Sequence, residues 1–444
     1  MVVESNVELD ILLEMRYYGL DGDGIGGSIR QAIEDFVVYE ISVEGVKASS
    51  NCSEIPQGAG EYTWVVVEKR GVDSITALNK VRKYFGVKKS DVGIAGLKDT
   101  NAVTFQFVSI KGDIPLDAII AFNSSSQRVK IHCPVKRPFH LRPGLLFGNH
   151  FIVKVRGCKT DSLEAMLNKL TEVGGVPNYF GYQRFGSIRP ITHIVGRHII
   201  QGRFKEAVEE LLLRIFPYES TKAKMAREYL ASTGDYKGTL EIFPKSMRSE
   251  RAVIAHLARR PGDYVGAIRK ISGYVRKLFV GAYQAYLFNK VLSRRIEHGL
   301  SWVYASPGDY VGITLGSPGS GHTPVLVAND TNIEKVNKLI LEGKATLLLP
   351  VFGYNTHLSQ GVQGEVEREV LKEEGLDIGS FYIKSIPEAS SAGTYRPASL
   401  SPLNLRVEVG QDYATFSFTL KKGMYATTLL REFIKPSNPV EQGF

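Results

Sequence analysis

The stretch Ile94-Ala95-Gly96-Leu97-Lys98-Asp99-Thr100-Asn101-Ala102-Val103-Thr104 reads as a strand, a small-residue turn and a second strand. Residues 90–95 are short and apolar enough to enter the turn as a strand. The apolar, β-branched run over 102–110 leaves it as a buried one. One carboxylate, Asp99, stands at the tip beside one cation, Lys98. An opposite charge favours the ionised form of a carboxylate, so Asp99 is a candidate nucleophile or base. The residue type alone leaves a structural reading open, because Asp is also a preferred turn former.

A second stretch, Pro177-Asn178-Tyr179-Phe180-Gly181-Tyr182-Gln183-Arg184-Phe185-Gly186, packs four aromatics around two amides and an Arg. Aromatic faces stack bases and an Arg fork grips phosphate, as a nucleotide-binding surface requires. The same composition suits an aromatic core segment with a surface Arg.

Outward from these two stretches, the N-terminal part predicts strands over 61–70, 128–133 and 151–156, with a helix from Asp73 to Phe85. Ile75, Leu78, Val81 and Phe85 recur there at helical spacing, and Gly86 stops it. Lys80, Arg82, Lys83, Lys88 and Lys89 cluster on and just after that helix. They are read either as a solvated face or as a phosphate-contacting stripe. A further helix is expected from Asp161, with Asp161 and Glu164 at capping-box spacing. Its buried side is Leu163, Met166, Leu167 and Leu170, and Gly174-Gly175 ends it. Helical patterns dominate 204–216, 251–259 and 266–297, and a long Gly/Ser/Pro loop covers 306–321. Strand character returns over 405–420, before a last helix over 425–435. No repeat of fixed period is present. The texture is that of a mixed α+β protein with a helical insertion.

Composition narrows the partner. A chain of 444 residues, 43% hydrophobic and 23% charged, is that of a globular protein of about two domains. A net charge of +9 favours a polyanion. No run reaches the roughly 18 apolar residues of a spanning helix, and Met1-Val2-Val3-Glu4-Ser5 does not read as a signal peptide. The expected location is cytoplasmic, with no membrane partner, and a monomer is the default. Cys52, Cys133 and Cys158 show no C-x-x-C pairing. They are expected to be unpaired thiols in a reducing compartment. The nine histidines show no ligand spacing, so no metal and no cofactor are expected. Gly22-Asp23-Gly24-Ile25-Gly26-Gly27 has the letters of a dinucleotide loop without a strand–turn–helix around it. Residues 316–323 mimic a P-loop with His322 in the place of the essential Lys.

The motifs, taken in order, resemble the TruD family of tRNA pseudouridine synthases. Gly96-Leu97-Lys98-Asp99-x-x-Ala102 and Asn178-Tyr179-Phe180-Gly181-x-Gln183-Arg184-Phe185-Gly186 resemble its two signatures. Glu34-Asp35-Phe36-Val37-Val38-Tyr39-Glu40, Gly148-Asn149-His150-Phe151, Gln284 to Asn289 and Phe418 to Thr427 are similar to its remaining segments. The resemblance spans residues 30–432. It implies an α+β catalytic domain with a mixed, mainly antiparallel sheet, built from 1–187 plus 394–444 and interrupted by a family-specific insertion over 188–393. It implies an isomerase that converts uridine to pseudouridine in tRNA, at uridine-13, with Asp99 catalytic. It further implies that Arg30, Phe36, Asn149, Phe151 and Phe418 hold the target nucleotide. The positive charge, and the nearness of the basic cluster to Asp99 in the sequence, make Lys83, Lys88 and Lys89 candidate RNA contacts, and Arg184 either contacts RNA or braces the fold. Arg30 stands where many relatives carry Lys, which preserves ion pairing and weakens any proton transfer there. Thr100-Asn101 lowers the local charge after the carboxylate. The alternative is a non-catalytic RNA-binding or RNA-folding protein on the same scaffold. A zinc nucleobase deaminase is disfavoured by the missing H-x-E and C-x-x-C pattern.

Overall fold

The computed structural model describes residues 2–313 and 325–444. The expected P-loop mimic at 316–323 lies outside the described residues. Its main framework is an eight-stranded sheet whose strands are β1 (Phe36–Ile41), β2 (Tyr62–Arg70), β3 (Val92–Ile94), β4 (Val103–Lys111), β5 (Val129–Arg137), β6 (Gly148–Arg156), β7 (Leu403–Val409) and β8 (Tyr413–Lys421). The order is β7-β8-β6-β1-β4-β2-β5, with β3 on β4. Only β1 and β4 pair in parallel; the other ladders are antiparallel. The mixed, mainly antiparallel α+β sheet expected from the sequence is present. Period-2 patterning builds it: β5, β6 and β8 alternate buried and less buried residues along most of their length.

Strand β2 covers the whole of one edge of β4. On the other edge β1 pairs with Val103, Thr104 and Phe105, and β3 with Val108, Ser109 and Ile110. The chain that carries Asp99 therefore leaves β3 beside Val108 and re-enters the sheet at Val103, next to β1.

The C-terminal hairpin β7–β8 docks on β6, so sequence from both ends of the chain completes one sheet. The intervening residues form a helical body and a four-stranded sheet of Tyr310–Ile313, Val325–Val327, Ala345–Val351 and Thr394–Pro397. The last of these pairs with Ala345–Val351, so that sheet runs past the edge expected at 393. One hydrophobic cluster joins Phe36, Phe151 and Phe418 to Leu257, Phe288 and Phe352 without a break. Among the described residues, no helix is long and apolar enough to cross a membrane.

Several local expectations change. Helix α1 (Ser74–Tyr84) is capped by Asp73, which accepts from Thr76 N at 2.9 Å. Its inner stripe is Ser74, Ala77 and Val81, while Ile75 is 57% exposed; Leu78 and Phe85 are only partly buried against the core. Helix α2 (Leu163–Val173) starts after Ser162 with no side-chain cap, so the Asp161 capping box does not form. Gly174 ends it at φ 86° as expected. The 266–297 helix is two: Tyr264–Lys270, then α3 (Gly273–Glu297), capped afresh by Ser272. Within the expected 306–321 loop, Tyr310–Ile313 is a strand, and 314–321 lie outside the described residues.

The cysteine expectation is overturned. Cys52 and Cys133 form a disulfide with Cα atoms 5.0 Å apart, although 81 residues separate them. The physical reason is a bulge in β5, where Trp64 opposes Val135 but Val66 opposes His132. Cys133 occupies it at φ 54°, and β5 continues beyond its expected end to Arg137. Cys158 alone stays free, and it is buried.

Candidate active site

A cleft of about 730 Å³ opens where the 95–102 loop, the sheet and the C-terminal segment meet. Asp99 lies on it, with its side chain 26% exposed. Its Oδ1 accepts from Arg30 Nη2 at 3.1 Å and from Gln183 Nε2 at 3.2 Å. Its backbone carbonyl accepts from Lys69 Nζ, and Lys98 N donates to Ser74 Oγ at 2.9 Å. The turn is thus fixed from behind by β2 and by the N-terminus of α1, and its carboxylate points into the cleft.

The cation that pairs with Asp99 is Arg30, not the adjacent Lys98. Arg30 has φ 59°, a left-handed conformation costly for a non-glycine residue. Three contacts hold it: the pair to Asp99, Nη1 donating to Gly443 O at 2.8 Å, and the guanidinium stacked 4.1 Å over Phe36. Burial pulls its pKa down and Asp99 pulls it back up; an arginine so placed stays charged. Burial pushes Lys69 down to about 8, opposed by Asp99 and Asp73.

Lys98 turns the other way, which corrects the expectation that it flanks the carboxylate in space. Its Nζ lies 2.7 Å from Glu40 Oε2 and donates to Asn149 Oδ1 at 2.6 Å. Glu40 is wholly buried, which raises its pKa against the pull of Lys98, and its Oε1 accepts from Phe107 N. A lysine ammonium can only donate. Asn149 must therefore turn Oδ1 to Lys98, which leaves its Nδ2 as the amide group for the cleft.

The aromatic wall follows from strand register. Val38, Phe151 and Phe418 are direct partners across β1, β6 and β8. Phe36 meets Phe151 edge-on at 6.2 Å, and Phe151 stacks on Phe418 at 5.5 Å. Phe36, Phe151 and Asn149 line the cleft. Phe418 does not: it is fully buried behind Phe151, so the structure gives it a supporting place instead of a lining one. The reason is its position one strand farther from the opening.

Arg184 faces a neighbouring cavity rather than this cleft. Lys83, Lys88 and Lys89 are exposed, but close in sequence is not close in space here. Lys89 precedes β3, whose Val92 pairs with Ile110, whereas the Asp99 loop joins Val103. That run of β4 spans about 23 Å at roughly 3.3 Å per residue.

Sequence reasoning missed Gln183 as a partner of Asp99, although it sits inside a quoted motif. It also missed the C-terminal segment: Tyr425, Thr427, Gly443 and Phe444 line the cleft. Only the carbonyl of Gly443 touches Arg30, and backbone contacts leave no signal in residue type. No cluster of three or more metal-ligating side chains occurs among the described residues.

With this geometry in view, the comparisons are consistent with one another. Residues 12–433 match the family model described as tRNA pseudouridine synthase D (TruD). The "Probable tRNA pseudouridine synthase D" of Methanopyrus kandleri is 39% identical over 85% of this chain and 86% of its own. The Methanosarcina mazei relative of the same name is 35% identical, covering 98% and 99%. A crystal structure of a Methanosarcina mazei protein described as "Putative tRNA pseudouridine synthase D (TruD)" superposes with a TM-score of 0.79 at 33% identity, covering 96% of this chain and 98% of that one. A match over nearly the whole length, in sequence and in fold, leaves one conclusion: the chain belongs to the TruD family of tRNA pseudouridine synthases.

Proposed function

We propose that this protein isomerises uridine to pseudouridine in tRNA, at uridine-13, with Asp99 as the catalytic carboxylate. Isomerisation requires that the glycosidic bond break, the uracil rotate and a carbon–carbon bond form at C5. One carboxylate can serve, by covalent addition to the nucleoside or by moving a proton from the sugar. The observation that carries the reading is the setting of Asp99. It is oriented by Arg30 and Gln183 in an open cleft beside an aromatic wall and an amide donor.

A target base must leave the RNA stack and find new π-contacts; Phe151, edged by Phe36, offers them. Asn149 Nδ2 offers a donor to a carbonyl of the uracil edge. Arg30 pairs with Asp99 and fixes its orientation, and as an arginine it does not give up a proton itself. Phe418 holds Phe151 in place from behind. Lys83, Lys88, Lys89 and Arg184 are the proposed contacts to the RNA backbone, with Lys88 and Lys89 just before β3, at the far end of β4 from the Asp99 loop.

The test is Asp99→Asn, which keeps shape and removes charge. Pseudouridine at position 13 of tRNA should fall below detection, with tRNA affinity within a few-fold of wild type. Mapping pseudouridine in total tRNA with and without the protein checks the position. Near-normal turnover by the Asn variant overturns the assignment of Asp99, and modification elsewhere overturns uridine-13.

A further inference from the structure

Beside the cleft lies a second cavity of about 390 Å³, lined by Phe180, Arg184, Gly281, Arg396, Lys422 and Met424 among others. Met424 lines both cavities. The short 3-10 turn Tyr182–Arg184 serves both as well: Gln183 reaches Asp99 in the first, and Arg184 enters the second. Three cations line this cavity, and none of its described lining residues is acidic. Arg184 Nε is buried with no hydrogen-bond partner among the described residues. Buried donors are usually satisfied, and Arg184 Nε is one of several buried side-chain atoms here that are not.

The cavity is shaped around that guanidinium. Gly281 sits within α3, where a glycine weakens the helix. A Cβ there would fall 2.3 Å from Arg184 Nη2. Arg396, by contrast, is committed. It donates to Asn178 O and Oδ1 and to Gly423 O, and it stacks 4.0 Å from the Phe180 centroid. It supplies positive field and a rigid floor. Burial lowers its pKa to about 10, Tyr425 pulls it up, and Arg184 adds repulsion. Lys422 is exposed at the rim, where its Nζ donates to Gly144 O at 3.2 Å.

We propose that this cavity is a phosphate subsite for the RNA strand that delivers the target nucleotide, with Arg184 as the phosphate ligand and Lys422 as a second, rim contact. The inference rests on the reading of the chain as an RNA-modifying enzyme. An arginine with free donors, no carboxylate nearby and a planar fork suits a phosphodiester oxygen pair. A backbone phosphate held one residue from Gln183 would fix the strand's register while the target base is turned towards Asp99. Phosphate contacts position without reading sequence.

The experiment measures tRNA affinity across a salt series for wild type, Arg184→Gln, Arg184→Lys, Lys422→Gln and Gly281→Ala. A second tRNA carries cytidine in place of the target uridine. Arg184→Gln and Lys422→Gln should each reduce the slope of log affinity against log salt by roughly 0.7–0.9, equally for both tRNAs. Arg184→Lys should restore most of the slope. Gly281→Ala, which adds helix propensity but displaces the flexible guanidinium, should reproduce Arg184→Gln. Should Arg184→Gln misfold, Gly281→Ala and Lys422→Gln still decide the matter. Unchanged slopes in folded variants, with wild-type tRNA modification intact, overturn the subsite and leave the function standing. Reduced slopes with no pseudouridine made by wild type support the subsite and overturn the function.

Discussion

Lys98 and Asp99 are neighbours in the chain and opposites in the fold, and the difference is testable. Lys98→Met alone would strand Glu40 as an unpaired buried carboxylate, a change that costs about 3–5 kcal/mol. The double variant Lys98→Met/Glu40→Leu removes both charges, so it should recover most of that stability. It leaves Asn149 free to flip its amide, and half of its orientations then present an oxygen to the uracil. Since about half of the orientations stay productive, kcat/KM of the folded double variant should fall roughly twofold. Wild-type kcat/KM in that variant would remove Lys98 from the site. The phenylalanines divide in the same way. Phe151→Ala should lose stacking of about 1–3 kcal/mol in turnover, whereas Phe418→Ala should lose about 3–5 kcal/mol of stability through its cavity. Thermal melts and turnover, measured where both variants are folded, would refute the division if the two profiles coincide.

At the scale of elements, the helix Thr192–Ile200 contains His193, stacked 5.2 Å from Tyr286 and edge-on to Phe185. Burial drives its pKa down to about 3, with repulsion from Arg214 and Arg197 adding to the effect. The unfolded chain takes up the proton near pH 6.5 and the folded chain does not. The contribution is therefore fully present above pH 6.5 and is lost as pH falls towards 3. At pH 5 the loss is about 2 kcal/mol. His193→Phe keeps a flat ring and does not titrate, so its stability should fall less than that of wild type between pH 7 and 5. Parallel stability–pH curves for the two proteins would contradict the buried neutral imidazole. Helices and strands in this chain were legible where apolar periodicity was long, as in β2, β4 and α1. The disulfide was not, since a bulge at φ 54° and a ladder register bring Cys133 to Cys52, and neither is written in local residue types.

At the scale of the whole molecule, the catalytic sheet and the intervening helical body share one core. Asn289 of α3 is the clearest joint: its Oδ1 accepts from Phe180 N at 2.8 Å. Its Nδ2 donates to Leu13 O at 3.0 Å and Phe180 O at 3.1 Å. All three bonds are formed between segments more than 100 residues apart. Asn289→Ala strands those backbone groups, and should cost about 3 kcal/mol or more. The loss should appear in a single melting transition, because both bodies unfold together. Two separate transitions in the wild type would show that the shared core does not couple them.

What the sequence determined by itself is the set of parts: the strand–turn–strand around Asp99, the alternation that makes a mixed sheet, and the ordered motifs that identify the family. These are legible because periodicity and turn chemistry are local, and because motif order survives without coordinates. What only the tertiary structure decided is which parts meet. The cation on Asp99 comes from residue 30, its amide partner from residue 183 and a backbone ligand of that cation from residue 443. Lys98 serves Asn149 instead, Phe418 withdraws behind Phe151, and Lys88 and Lys89 precede a strand at the far end of β4 from the Asp99 loop. Sequence distance sets none of these. Strand register and the closing of one core by both ends of the chain do.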